Sequence, residues 1–154
     1  MIVESLQDVG ISEVCCGTHF TVFLSKEGKV FSCGLDRFNG HGTSRSCCRP
    51  LQACIFQDFC KVFLFSHDLG SIVIFCLQIM SLSDKVVVSI TAGAEHILCV
   101  TSDEEVYGWG SNNEGQLGLG NTQAIRVPEK IAFLSGKGIQ QVCLEDCKLQ
   151  SFLI

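Results

Sequence analysis

Hydrophobic positions along this chain fall into short runs separated by glycine turns and polar loops. The clearest stretch is residues 86–120, VVVSITAGAEHILCVTSDEEVYGWGSNNEGQLGLG. An apolar run ends in a glycine turn, and HILCVTS reads as a strand. An acidic turn leads into a second strand, VYGWG, and the segment closes on the Gly-rich loop SNNEGQLGLG. Branched and aromatic side chains suit a pleated, half-buried surface. The segment therefore predicts one blade's worth of β-structure.

A weaker copy lies upstream. Val14-Cys15-Cys16-Gly17 matches Ile90-Thr91-Ala92-Gly93, an offset of 93 − 17 = 76 residues. At that offset FTVFLS falls on HILCVT, KEGKV on SDEEV, FSCG on YGWG and LDRFNGHG on SNNEGQLG. A gap-free register of this kind is the signature of a repeat architecture. Gly28 suits a hairpin turn that needs positive φ. The second copy carries Glu104 there, so its turn takes another geometry or tolerates strain. Asn39 aligns with Gly115, and both residue types reach the left-handed region at low cost.

A third strand start, Val142 in IQQVC, lies 142 − 90 = 52 residues after Ile90. The first spacing is longer by 76 − 52 = 24, the length of the apolar stretch 53–76. Removing it places Leu82 over Leu134 and restores a repeat of about 50 residues. The sequence thus predicts a degenerate first unit over 1–52, an insertion at 53–76, a well-matched second unit over 77–138, and a truncated third unit with an off-pattern tail over 139–154. Such an insertion and tail are what an alternative or incompletely spliced transcript produces, which predicts a truncated isoform.

Composition narrows the classes. Net charge is −5 and only 18% of residues are charged, so a broad grip on nucleic-acid phosphate is not expected. The eleven cysteines include adjacent pairs, Cys15–Cys16 and Cys47–Cys48, and form no C-x-x-C. They read as reduced thiols, mostly small core residues, in a cytoplasmic or nuclear setting. The start lacks a basic n-region and an apolar h-region, so secretion is not indicated. Leu69–Ser83 is the longest uncharged run and falls short of a bilayer span of about 18–20 residues; no membrane partner is expected.

No catalytic, metal or cofactor constellation emerges. Cys143 and Cys147 lack a second ligand pair. His19, His41, His67 and His96 do not align as a repeated site, because His96 falls on Phe20. The glycines of GSNNEGQLGLGN carry no following Lys-Ser/Thr and lead toward a Pro-containing linker, which disfavours a phosphate cradle. They read as tight-turn residues, with Leu117 and Leu119 turned inward. Trp109 and Tyr107 read as blade core before binding surface.

The pattern from Gly93 through His96, Val106, Trp109-Gly110, Asn112 and Gly115-Gln116-Leu117-Gly118 to Gly120 resembles the regulator of chromosome condensation (RCC1-type) repeat. In the first unit Cys33 stands for the Trp and GHG for the GQLG core. The resemblance covers about 14–52 and 77–143, and IRVPEKI with IQQVC looks most like the repeats of HECT-type ubiquitin ligases. It implies an all-β fold, a partial β-propeller of about two blade-type repeats from a normally seven-bladed ring. It gives repeat-structural roles to Gly17, Gly34, Gly93, His96, Trp109, Gly110, Asn112, Gly115, Gln116, Leu117, Gly118 and Gly120, with the histidine bonding backbone near the glycine turn. The implied function is a protein–protein interaction module of a larger regulatory or scaffold protein, with a small GTPase or ubiquitin-pathway component as partner. Guanine nucleotide exchange on a small GTPase, or a truncated isoform without function, are the alternatives.

Overall fold

The computed structural model describes residues 6–34, 39–42, 77–145 and 148–152. The expected insertion, 53–76, lies outside these residues. Strands β1 (Ile11–Cys16), β2 (Phe20–Ser25), β3 (Val30–Gly34) and β4 (Leu77–Gln78) form one antiparallel sheet in chain order. Strands β5 (Val87–Ala92), β6 (His96–Thr101), β7 (Val106–Gly110) and β8 (Ile125–Lys130) form a second, again in chain order. A hairpin, β9 (Gln141–Glu145) with β10 (Lys148–Phe152), begins a third.

The two sheets share one register. Cys15 faces Val22 and Thr91 faces Leu98; Phe20 faces Gly34 and His96 faces Gly110. Even the irregularity at the start of the first ladder recurs, at Ile11/Glu13 and at Val87/Ser89. Each of these positions is displaced by 76 residues (87 − 11 = 76). The fourth strands are displaced by less. Gln78 faces Phe31 while Lys130 faces Tyr107, a shift of 130 − 78 = 52. The hairpin follows the shorter spacing: Val142 faces Ser151 as Ile90 faces Cys99, and Leu144 faces Leu149 as Ala92 faces Ile97. Residue types leave the repeat after Cys143, yet the backbone keeps its pairing.

Successive units pack face to face through a repeated core. Between the first two lie Phe20, Val22, Leu24, Val30, Ile79 and Leu82 against Val87, Ile90, Ile97, Cys99 and Trp109. On the other side of the second sheet, Leu98, Val100, Val106, Ile131 and Leu134 meet Ile139 and Val142. These occupy the positions of Val22, Leu24, Val30, Ile79, Leu82, Val87 and Ile90 one unit on. Strand β6 is covered on both faces, and all six of its residues are buried, whereas β8 is an edge with a mostly exposed pattern. Pro128 within that edge removes a backbone donor and discourages further pairing.

Among the opening strands, β5 abuts both β1 and β9. On β1, Cys15 Sγ donates to the Ile90 carbonyl at 3.5 Å, and Glu13 Oε2 accepts from the Ile90 N–H at 3.1 Å. Side chains of one unit thereby satisfy both backbone groups of one residue in the next.

Candidate functional site

The loops that follow β3 and β7 leave equivalent strand ends and form the least regular described surface of each unit. In the second unit Asn112 organises the loop from a fully buried position. Its Nδ2 donates to the Asn121 carbonyl at 2.8 Å and to Asn121 Oδ1 at 3.2 Å, and its Oδ1 accepts the Leu117 N–H at 3.0 Å. Leu117 is thereby driven into the inter-unit core, with Leu119 packed against it. Gln116 Oε1 accepts the Glu114 N–H at 2.9 Å. Gly115, Gly118 and Gly120 take φ of 71°, 65° and 73°, which is where glycine is needed. The N–H groups of Gly115 and Gly118 are bonded to the carbonyls of Asn112 and Gly115, so they are committed to the turn and not aimed at an anion.

The first-unit loop solves the same problem with other residues. Asn39 aligns with Gly115 in sequence, but Gly40 and Gly42 take the positive φ there, at 84° and 68°, and Asn39 does not. Asn39 is instead fully buried, and its Oδ1 accepts the His41 N–H at 3.1 Å. That is the task of Asn112, whose Oδ1 takes the N–H of Leu117, the counterpart of His41. The side chains are exchanged as a pair. Where the second unit sets Leu117 against Gly108, the first sets His41 against Ser32, with Nε2 and Oγ 3.0 Å apart. Ser32 Oγ donates its proton to the Asn39 carbonyl, so it accepts from the imidazole. A Ser–His pair in this sense is a structural tie, and the serine is not activated as a nucleophile.

Both glycine turns make room for a ring. A methyl on Gly93 would stand 2.4 Å from His96 Cε1, and one on Gly17 would stand 2.3 Å from the Phe20 ring. Gly93 donates its N–H to the His96 carbonyl, as Gly17 does to that of Phe20. That bond uses only the backbone of His96; the resemblance implied that the histidine side chain bonds backbone near the turn, but its Nε2 is buried without a partner. Burial lowers the imidazole pKa. Gly34 and Gly110, at φ 122° and 110°, let the chain pass the carbonyls of His19 and Glu95, which a methyl would meet at 2.4 Å. Trp109 is fully buried between the units, as blade core.

Charged groups concentrate where β7 and β8 meet. Glu105 receives Lys130 Nζ at 2.6 Å, Lys85 Nζ at 2.8 Å and the Tyr107 hydroxyl at 3.0 Å. Lys130, Lys85 and Tyr107 together hold its carboxyl down to about 2. No sequence motif marks this network, because its members lie 20 or more residues apart except in the DEEVY turn. Cys15, Cys16 and Cys99 are free thiols, and full burial pushes Cys99 up to about 12. Among the described residues no group of three or more His, Cys, Asp or Glu side chains could hold a metal ion, and no helix is long and apolar enough to cross a membrane.

Comparison with known proteins agrees with this arrangement. The regulator of chromosome condensation (RCC1) repeat matches residues 103–144, and a second description of the same repeat matches 11–42 and 87–116. The human E3 ubiquitin-protein ligase HERC2 is 35% identical over 144 residues, which is 92% of this chain and 2% of the ligase. The serine/threonine-protein kinase Nek9 of Xenopus laevis is 28% identical over 141 residues, which is 92% of this chain and 13% of the kinase. The chain thus spans a small part of either relative. Among solved structures, Prp20p from Saccharomyces cerevisiae, described with its binding properties to Gsp1p and histones, superimposes with a TM-score of 0.63 at 21% identity. The overlap takes in 94% of this chain and 31% of Prp20p. The fold is a partial β-propeller.

Proposed function

The chain belongs to the regulator of chromosome condensation (RCC1) repeat family, and from that premise we propose that it serves as a non-catalytic protein-binding module of a larger regulatory protein. The observation that carries this reading is the commitment of its polar groups. Asn112, Asn39, Ser32 and His41 bond among the loop groups and the adjoining strand, leaving an internally bonded loop surface on which Gly118, Gly120, Asn121 and Thr122 are exposed. Such a surface suits contact with another protein, where pre-organised loops reduce the entropy cost of binding. Likeness to HERC2 favours a ubiquitin-pathway component as partner, in the cytoplasm or nucleus, where free thiols persist.

A second reading, guanine nucleotide exchange on a small GTPase, draws on Prp20p and its described binding to Gsp1p. The two are separated by incubating the 154-residue chain with a panel of nucleotide-loaded small GTPases and following nucleotide release. Binding without faster release supports the interaction module. Accelerated release from any member overturns it in favour of exchange.

A further inference from the structure

The two units offer an internal comparison at one spatial position. In the second unit the loop is closed by an apolar contact, Leu117 against Gly108. In the first the same contact is made by an imidazole on a hydroxyl, His41 on Ser32 at 3.0 Å. Leu117 cannot titrate; His41 can, within the range where histidine changes charge.

The His41 loop also bridges two units. Gly42 donates its N–H across to the Arg126 carbonyl on β8 at 3.2 Å. A methyl on Gly40 would lie 2.8 Å from Trp109 Nε1 and 3.0 Å from Ile79 Cδ1, so the loop backbone rests directly on the indole edge. A methyl on Gly42 would lie 2.7 Å from Val127 Cγ1. The loop therefore covers the seam where the first unit's core meets Trp109.

We propose that residues 39–42 form an acid-released latch over the seam between the first two units, with His41 as its trigger and the second unit's loop as its pH-insensitive counterpart. Neutral His41 donates Nε2–H to Ser32 and fits the half-buried site. The imidazolium carries a charge that burial opposes; burial lowers the pKa of this ring, and a hydrogen bond to Ser32 acts more weakly in the other direction. The closed loop is fully favoured above the ordinary histidine pKa of 6.5 and loses ground as pH falls below it. The titratable or charged side chains on the elements packed around the loop are Cys33 on β3, Tyr107 on β7, and Arg126, Glu129 and Lys130 on β8. Tyr107 and Lys130 are engaged with Glu105.

Trp109 is the single tryptophan of the chain, so acrylamide quenching of its fluorescence reads the latch directly. In the full chain the quenching constant should rise by about twofold or more between about pH 7.5 and pH 5. His41→Gln keeps a donor for Ser32 without a titrating group, and His41→Leu with Ser32→Gly installs the pair of the second unit. Either variant should give a flat profile. A flat profile in the unaltered chain overturns the proposal. So does a rise that persists in both variants, which would assign the pH dependence to another group such as His96.

Discussion

Glu104 holds φ 59° at the turn position where Gly28, one unit earlier, holds φ 79°. The hydrogen bonds of the two turns coincide: Gly28 N–H to the Ser25 carbonyl at 2.9 Å, and Glu104 N–H to the Thr101 carbonyl at 3.0 Å. The second turn thus keeps the first turn's geometry at the expense of a non-glycine residue in the left-handed region, which disfavours it by about 1–2 kcal/mol.

Glu104→Gly should therefore raise stability by about 1 kcal/mol, somewhat offset by the extra freedom of glycine in the unfolded chain. The urea midpoint reads the effect. The reverse change, Gly28→Ala, should destabilise by more, because its methyl would also stand 2.6 Å from Val86 Cγ1. A lower midpoint for Glu104→Gly would show that the strain is absent.

Much of this fold is legible in the sequence because repetition reports on itself. One offset of 76 places β1, β2 and β3 on β5, β6 and β7, and glycine spacing marks the turns. Single-residue alignment fails where side chains trade roles. Asn39 lies over Gly115 in sequence but performs the work of Asn112, and His41 with Ser32 replaces Leu117 with Gly108. Such exchanges depend on which side chain reaches a given carbonyl, and spacing alone does not encode that. The Glu105 network escapes for the same reason, since Lys85 and Lys130 reach it from separate segments.

His96 occupies the place of Phe20, and its buried Nε2 has no partner. A buried unsatisfied polar atom costs about 1–3 kcal/mol, while Phe20 fills the equivalent site with only 4% exposure. His96→Phe is expected to stabilise by about 1 kcal/mol near neutral pH. The sign of its pH dependence follows from the lowered pKa. The unfolded chain takes up a proton at its ordinary pKa before the folded chain does, so stability declines below pH 6.5 until the folded pKa is passed. The variant should lose that part of the decline. Thermal melts at several pH values decide it, and an unchanged or lower melting point at neutral pH would show that the imidazole is better accommodated than phenyl.

Asn112 supports its loop through one acceptor and two donor contacts. Asn112→Asp keeps the acceptor for Leu117 but turns a carboxylate toward the Asn121 carbonyl, now 2.8 Å from Nδ2. A loss of about 2–4 kcal/mol is expected, with Leu117 less firmly buried. Hydrogen exchange at the Leu117 amide gives the local reading. Protection equal to that of the unaltered chain would remove Asn112 from this role.

Glu105 is an anchor of β7 and β8 that should fail only in strong acid. Its folded pKa of about 2 lies below the ordinary carboxylate value of 4.5. Its contribution is complete above the ordinary value and is lost as pH falls from there through about 2. The site is partly exposed, so added salt should weaken it. Glu105→Gln should show a shallower fall in denaturation midpoint over this window. Parallel acid profiles for the two proteins would mean that the ion pairs contribute nothing measurable.

The two ladders also bear on the proposed insertion. Ser32 pairs with Leu77 and Gly108 with Glu129, so equivalent connections span 77 − 32 = 45 and 129 − 108 = 21 positions, a difference of 24. The excess matches residues 53–76, and the β3–β4 pairing is in register with that of β7–β8 despite it. Deleting 53–76 should therefore leave both sheets intact. Shortening the closed loop by this factor favours the folded chain by about 0.7 kcal/mol. The deletion also removes KVFLF and SIVIFC, apolar windows of the kind that drive aggregation. Soluble yield should rise, and a cooperative melt should be retained with a midpoint equal to or above that of the full chain. Loss of cooperativity on deletion would mean that 53–76 is an integral part of the first unit and not an addition to it.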